Sequence, residues 1–163
     1  MIEDKKRVVI ANSGDSRSVL CRSGKAIELS FDHKPENEIE RNRIEKAGSV
    51  ITQGRVDGNL NLSRALGDLR YKKKEGIAPE EQPITANPDL KVVELEHGND
   101  EFIIMGCDGI WEKWSNQEMV DWIRPRLTEG QAEAKIVEDL LHTLLSPNYT
   151  ETGKIYFVLI VVF

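Results

Sequence analysis

The sequence predicts a layered α+β domain, and three observations carry that expectation. Short apolar runs joined by tight glycine turns open the chain and return near residues 89–108, the pattern of antiparallel strands. Two stretches of helical period then follow one another after residue 115. One apolar run, "IYFVLIVVF" at 155–163, closes the sequence. Clustered strands, then two helices, then a last strand is a layered order rather than a regular βαβ repeat. No internal repeat or low-complexity tract interrupts it.

Taken in order, "RVVIANSGDSRSVLCRSGKAIELS" reads as three strands joined by "NSGDS" and "RSGK", with Gly14 free to take a positive φ. "FDHKPENEIERNRIEKAGS" changes period. Pro35 precedes a short helix whose thin apolar stripe is Ile39, Ile44 and Ala47, and Gly48 is its stop. "VITQ" is a short strand. In "GRVDGNLNLSRALGD" the inward residues are Leu60, Leu62 and Leu66. Residues 69–85 are polar, carry Pro79 and Pro83, and read as a long loop of the kind that is often functional. "DLKVVELE" and "DEFIIMGCD" are strands, the first bulged because Val92, Val93 and Leu95 do not alternate, the second covered on both faces. "SNQEMVDWIRPRL" begins with a capping box, Ser115 with Glu118, buries Met119, Trp122 and Ile123, and should kink or end at Pro125. A helix over 132–145 follows, with Ile136, Val137, Leu140, Leu141, Leu144 and Leu145 as its apolar stripe. The closing run belongs inside a sheet with neighbours on both sides, or else it exposes a sticky edge.

The chain has 163 residues, 22 Lys and Arg, 28 Asp and Glu, and a net charge of −6. This suits one domain and argues against general affinity for nucleic acid. The basic residues are dispersed except in "RYKKK" at 70–74, which is either a solvated loop or a contact for an acidic or phosphorylated partner. Cys21 and Cys107 lie in or beside apolar runs and read as small buried hydrophobes in a reducing compartment. "MIEDKKR" is not a signal peptide, and nine apolar residues are too few for a membrane-spanning helix. The expectation is a soluble intracellular protein, cytoplasmic or nuclear, with no membrane partner.

Three aspartates stand beside glycines: Asp15, Asp68 and Asp108. The ordinary role of such an aspartate is to cap its own turn. Asp108 differs because it ends an apolar strand and precedes Ile110 and Trp111, where a carboxylate is costly unless paired or bound to a metal. Oxygen-rich positions point to hard cations, magnesium or manganese. His33, His97 and His142 stand in unrelated contexts, and neither a zinc spacing nor a GxSxG elbow is present.

The segments "ANSGDSRSVL", "DHKP", "ERNRIEKAGSV", "RVDGNLNLSRALGD" and "DEFIIMGCDGIWEKWSNQEMVDWI" resemble, in order, the C-terminal portion of the type 2C metal-dependent serine/threonine protein phosphatases. They cover most of residues 7–124. The resemblance implies a sandwich of two antiparallel sheets flanked by helices, here a partial αββα sandwich over residues 1–163 without the family's N-terminal part. It implies hydrolysis of phosphoserine and phosphothreonine in protein substrates, with two divalent cations, Mg2+ or Mn2+, activating the water that attacks phosphorus. By similarity Asp108 matches a core metal ligand and Asp15 a carboxylate of an additional, weaker metal site. Glu112 stands where the family commonly has aspartate near that outer site. Gly14, Ser63, Arg64, Gly67, Asp68 and Gly109 match supporting positions, as do Asp57 and His33, and the region 71–85 matches a flap that influences substrate access.

The same resemblance marks departures. The family's phosphate-binding arginine, acidic pair and Asp-Gly-His segment have no counterpart among the seven residues before Val8. Near the C-terminus, where the family carries an Asp-Asn pair, alignment from Phe163 places Lys154 and Ile155. A protonated lysine cannot ligate magnesium. No side chain is assigned as catalytic acid, base or nucleophile, and the isolated chain is expected to be weak or inactive as an enzyme. Three accounts stand together: part of a longer phosphatase, a non-catalytic pseudophosphatase or binding module, or a chain that completes its sheets by association with itself or another protein.

Overall fold

The computed structural model describes residues 7–144 and 158–162. Its elements in chain order are β1 (Arg7–Asn12), β2 (Arg17–Arg22), β3 (Lys25–Glu28), α1 (Glu38–Lys46), β4 (Ile51–Thr52), β5 (Arg55–Val56), β6 (Asp89–Glu94), β7 (Asp100–Gly106), α2 (Asp108–Trp111), α3 (Asn116–Thr128), α4 (Glu133–Leu144) and β8 (Val158–Val162). The α+β expectation holds, with antiparallel sheets and helices. Two compact units divide the chain: residues 1–10, 16–30 and 91–163 form one, and residues 11–15 and 31–90 the other.

The first unit is built in layers. A four-stranded antiparallel sheet runs β3-β2-β7-β8, and β1 pairs with β6 in a second sheet. Opposite residues set the two faces of the larger sheet: Val19 faces Ile104 and Cys21 faces Phe102, while Leu20 faces Ile103. Because side chains alternate along a strand, the first four point one way and Leu20 and Ile103 the other. Val19, Cys21, Phe102 and Ile104 pack under Ile110 and Trp111 of α2, Met119, Val120 and Ile123 of α3, and Ile136, Leu140 and Leu144 of α4. Leu20 and Ile103 pack with Leu29 against Val8 and Ile10 of β1 and Val93 of β6. The apolar β7 is therefore covered on both faces, as its composition predicts. The capping box of α3 is formed: Ser115 accepts from the Glu118 amide while the Glu118 carboxylate accepts from the Ser115 amide.

The second unit has its own smaller core, Ile44, Val56, Tyr71 and Ile84, with Ile51, Leu60 and Ala65 packed against it. Tyr71 and Ile84 come from the long polar stretch 69–85, which is anchored at both ends rather than loose. Gln82 clamps its middle, accepting from the Lys74 amide at 3.0 Å and donating to the carbonyls of Lys74 at 2.9 Å and Ile77 at 2.8 Å.

Several sequence expectations fail for physical reasons. Ile39 is 76% exposed and Leu66 85% exposed, so neither belongs to a buried stripe. On α1 the buried polar position is Glu40, which stays charged inside because arginines meet it. The strand β6 alternates cleanly, with Lys91 and Val93 turned in and Leu90 and Val92 exposed. An irregularity lies instead in the β2–β7 ladder, where Cys21 faces Phe102 and Arg22 faces Asp100, leaving Glu101 of β7 as the extra residue. Pro125 does not end α3, which runs on to Thr128. Its missing N–H frees the carbonyl of Asp121 on the exposed side of the helix, where water can solvate it. The closing strand is not interior among the described residues: β8 is the last strand of its sheet and pairs with β7 alone. Leu145 lies outside the described residues. Cys21, buried, and Cys107, half-buried, do not form a disulfide. No described helix is long and apolar enough to cross a membrane.

Candidate functional site

Asp108 is the first residue of the one-turn helix α2, with Cys107 as its N-cap. The sequence places it at the end of an apolar strand, and a helix starts there as Ile110 and Trp111 enter the core under β7. The indole N–H of Trp111 donates to the Gly106 carbonyl at 2.9 Å and pins α2 to the end of β7. Asp108 is half-buried, and its Oδ1 accepts from the Gly109 amide at 2.8 Å. Glu112 follows α2 on the surface, its N–H donating to the Asp108 carbonyl at 3.0 Å. Arg17 lies over the Trp111 ring at 5.4 Å and donates to Asn116 Oδ1 at 2.8 Å.

Asp15 belongs to the second unit, on the turn between β1 and β2. Gly14 makes this turn with φ +134°, and a Cβ there would stand 3.4 Å from the Arg64 carbonyl oxygen. The Arg64 oxygen is at ordinary contact distance, so it is the backbone conformation that favours glycine here. The Gly14 amide donates to His33 Nδ1 at 3.1 Å, and the Gly14 carbonyl accepts from the His33 amide at 3.0 Å and from Asn12 Nδ2 at 3.1 Å. The Asp15 carboxylate accepts from Lys34 Nζ in an ion pair.

From His33 a polar relay continues. Only 3% of His33 is exposed. Its Nε2 meets Asp89 Oδ2 at 3.1 Å; the other Asp89 oxygen accepts from Arg64 Nη1 at 2.7 Å. Arg64 donates to Glu40 through Nε at 3.0 Å and Nη2 at 2.6 Å, and to the Asn87 carbonyl at 3.1 Å. Arg43 closes the cluster, pairing with Glu40 at 2.7 Å and donating to the carbonyls of Ser63 at 2.5 Å and Gln82 at 3.2 Å. Burial pushes the Glu40 carboxyl up, but hydrogen bonds and charge from Arg64 and Arg43 outweigh it and hold the group below the usual carboxylate range. Asp89 is likewise raised by burial and brought lower on balance by His33 and Arg64.

The residues singled out in the sequence therefore separate. Gly14, Asp15, His33 and Arg64 share the second unit and are connected as described. Ser63 is fully buried beside Arg64, and its N–H donates to the His33 carbonyl at 3.3 Å. Gly67 and Asp68 stand at the surface with φ +85° and +49°, and the Asp68 carbonyl accepts from the Tyr71 amide at 3.0 Å. Asp57 closes the β4–β5 hairpin, accepting from the Val50 amide at 3.1 Å. Asp108, Gly109 and Glu112 are in the other unit. Lys154 lies outside the described residues. Sequence reasoning missed Glu40, Arg43, Lys34 and Asp89. The first two were detectable as an i, i+3 ion pair on the helix, whereas nothing in "NPDL" marks Asp89 as a partner.

Among the described residues, no three His, Cys, Asp or Glu side chains gather so that they could hold a metal ion. Within the described residues of its own unit each of Asp15 and Asp108 stands without two further such side chains, and a divalent cation needs several converging oxygens. In the second unit, a cavity of about 540 Å³ is lined by Lys72, Lys73 and Lys74 with Gln82 and Asn87. Lys72 Nζ is tied to the Ala65 carbonyl at 2.6 Å, while Lys73 is exposed.

A four-stranded antiparallel sheet packed on the β1–β6 sheet, with helices against its other face and an aspartate at the end of a buried strand, matches the layered fold of a phosphatase. The family model "Protein phosphatase 2C" matches residues 1–153, and the chain belongs to that family. It is 51% identical over 149 residues to "Protein phosphatase ppm-1.G" of Caenorhabditis elegans, covering 91% of this chain and 30% of that protein. It is 51% identical over 141 residues to "Probable protein phosphatase 2C 6" of Paramecium tetraurelia, covering 86% of this chain and 48% of that protein. Among solved structures, a phosphatase from a pathogenic strain of Toxoplasma gondii aligns with a TM-score of 0.80 at 30% identity, over 94% of this chain and 47% of that one. The chain thus spans half or less of the length of these relatives. The family is generally metal-dependent.

Proposed function

We propose that this chain is part of a protein phosphatase 2C catalytic domain, which hydrolyses phosphoserine and phosphothreonine esters in protein substrates with Mg2+ or Mn2+, and that the 163-residue chain alone has little or no such activity. Family membership supports the first half. The observation that supports the second is the absence, among the described residues, of any cluster of three ligating side chains. Divalent cations need several converging oxygens before they activate water. Asp108 is the core-ligand position, Asp15 and Glu112 the outer ones, and the lysine-lined cavity at 72–74 is the face a phosphoprotein would meet.

The test is Mn2+-dependent hydrolysis of a phosphothreonyl peptide by the pure chain, and by the chain joined to the part of the Paramecium relative that it does not match. Turnover should be at background in the first and appear in the second, and Lys154→Asp should raise it further. Robust turnover by the 163-residue chain alone overturns the inactive reading. A second reading, a non-catalytic binding module, is favoured by one observation: an ammonium group, Lys34, already neutralises Asp15. It predicts that the joined protein stays inactive.

A further inference from the structure

We propose that His33 is a positioning residue: as the Nε2–H tautomer it bridges Asp89 and the Gly14 amide, and so fixes the turn that presents the Asp15 carboxylate. The geometry leaves one tautomer. The Gly14 N–H points at Nδ1 from 3.1 Å, so Nδ1 must be the unprotonated nitrogen. Nε2 therefore carries the proton and donates to Asp89 Oδ2 at 3.1 Å. Asp89 is suited to accept, since Arg64 holds its second oxygen and its carboxyl sits below the usual range.

Both peptide groups of Gly14 are then committed, the N–H to the ring and the carbonyl to the His33 amide and Asn12. The next residue, Asp15, leaves this anchored peptide in a fixed direction. The Gly14–Nδ1 bond is buried, with no water to substitute for it, while the Nε2 bond reaches a side chain that is 61% exposed. The relay does not stop at Asp89. Arg64 belongs to a segment that pairs with Thr85, the Ala65 amide donating to the Thr85 carbonyl at 2.9 Å. The Asp15 turn and the base of the 69–85 stretch are thus tied through His33, Asp89 and Arg64.

Two substitutions separate the ends of the ring. In His33→Asn the amide oxygen replaces Nδ1 as acceptor and nothing replaces Nε2. In His33→Gln the amide nitrogen replaces Nε2 as donor and the acceptor at Nδ1 is lost. In the full chain, hydrogen exchange at the Gly14 amide should change little in His33→Asn. It should speed up about tenfold in His33→Gln, the factor carried by one buried hydrogen bond of about 1.4 kcal/mol. The Asp15 carboxyl 13C shift should move in both variants, more in His33→Gln, because His33→Asn still loses the Asp89 end of the relay. In the unsubstituted chain, long-range 1H–15N correlation should report protonated Nε2 and bare Nδ1. The Nδ1–H tautomer, or equal exchange and an unmoved Asp15 shift in both variants, overturns the proposal. The tautomer reading needs no variant to fold. None of these readouts involves turnover, so the proposal can fail or stand apart from the catalytic reading of Asp15.

Discussion

Arg64→Met tests whether the buried charge cluster of the second unit holds the protein together. Methionine keeps most of the apolar stem and removes the guanidinium. Arg64 is 7% exposed and Glu40 2% exposed, so water reaches neither. The change leaves Glu40 with Arg43 as its remaining arginine and strips a donor from the Asn87 carbonyl. Breaking a buried pair from one side costs about 3–5 kcal/mol. The surviving Arg43 contact sets the expectation at the low end, about 3 kcal/mol. The lost Arg64–Asp89 contact adds little, because the Asp89 side chain is 61% exposed and can be hydrated.

At a urea slope of about 2 kcal/mol/M the unfolding midpoint should fall by about 1.5 M. Replacing both partners, Arg64→Met with Glu40→Met, should recover much of that loss, since the carboxylate that the single change strands is then gone as well. Arg43 keeps its carbonyl partners Ser63 and Gln82 in that double variant. The pH dependence has a fixed sign. Glu40 has a folded pKa below its unfolded value, so its contribution is complete above the unfolded value and fades as pH falls through the folded one. The gap between the parent protein and Arg64→Met should therefore narrow below about pH 4. A midpoint within about 0.3 M of the parent, or additive costs in the double variant, refutes the reasoning.

The remaining expectations use the same chain. Phe102→Ala should cost about 3–5 kcal/mol in urea unfolding, because the ring is fully buried between its own sheet and the helices. Burial pushes the Cys21 thiol up to about 11, so at neutral pH it is protonated as well as hidden. Iodoacetamide followed by peptide mass analysis should label the half-buried Cys107 well before Cys21 in native protein. Asp100 is raised by burial but lowered on balance by Arg22, so with Glu40 and Asp89 it adds stability above its unfolded pKa that is lost in acid. Thermal midpoints should accordingly drop below about pH 4, and Arg22→Met should flatten that acid limb.

Much of this fold was legible because the signals were local. A β7 that is apolar at every position from Phe102 to Met105 must be covered on both faces, and it is. Ser115 and Glu118 announce the start of α3 three residues apart. What stayed hidden depends on partners distant in sequence. Ile39 looked buried and Glu40 drew no notice, because hydropathy cannot see Arg64, 24 positions away, neutralising the glutamate. The same blindness affects the site. "DHKP" offered His33 and Lys34 as neighbours, yet one bonds a glycine amide and an aspartate 56 residues on, while the other pairs with Asp15.

That contrast bears on how the Asp15 turn is made. A hairpin glycine is ordinarily explained by its own backbone freedom, and Gly14 does need its φ of +134°. Freedom alone would leave the next residue loosely aimed. Here each peptide group of Gly14 is held by a partner from another part of the chain, and those partners are held in turn as far as Glu40 on α1. The carboxylate's direction is therefore a property of the folded unit, which is why five contiguous residues, "NSGDS", suggest a turn but not what the turn is for. If that account is correct, Asp89→Asn should disturb the Asp15 carboxyl shift despite having no contact with Asp15, and Asp57→Asn, on the separate β4–β5 hairpin, should leave it in place. Equal effects from the two would mean that the shift reports general loosening of the unit and not the relay.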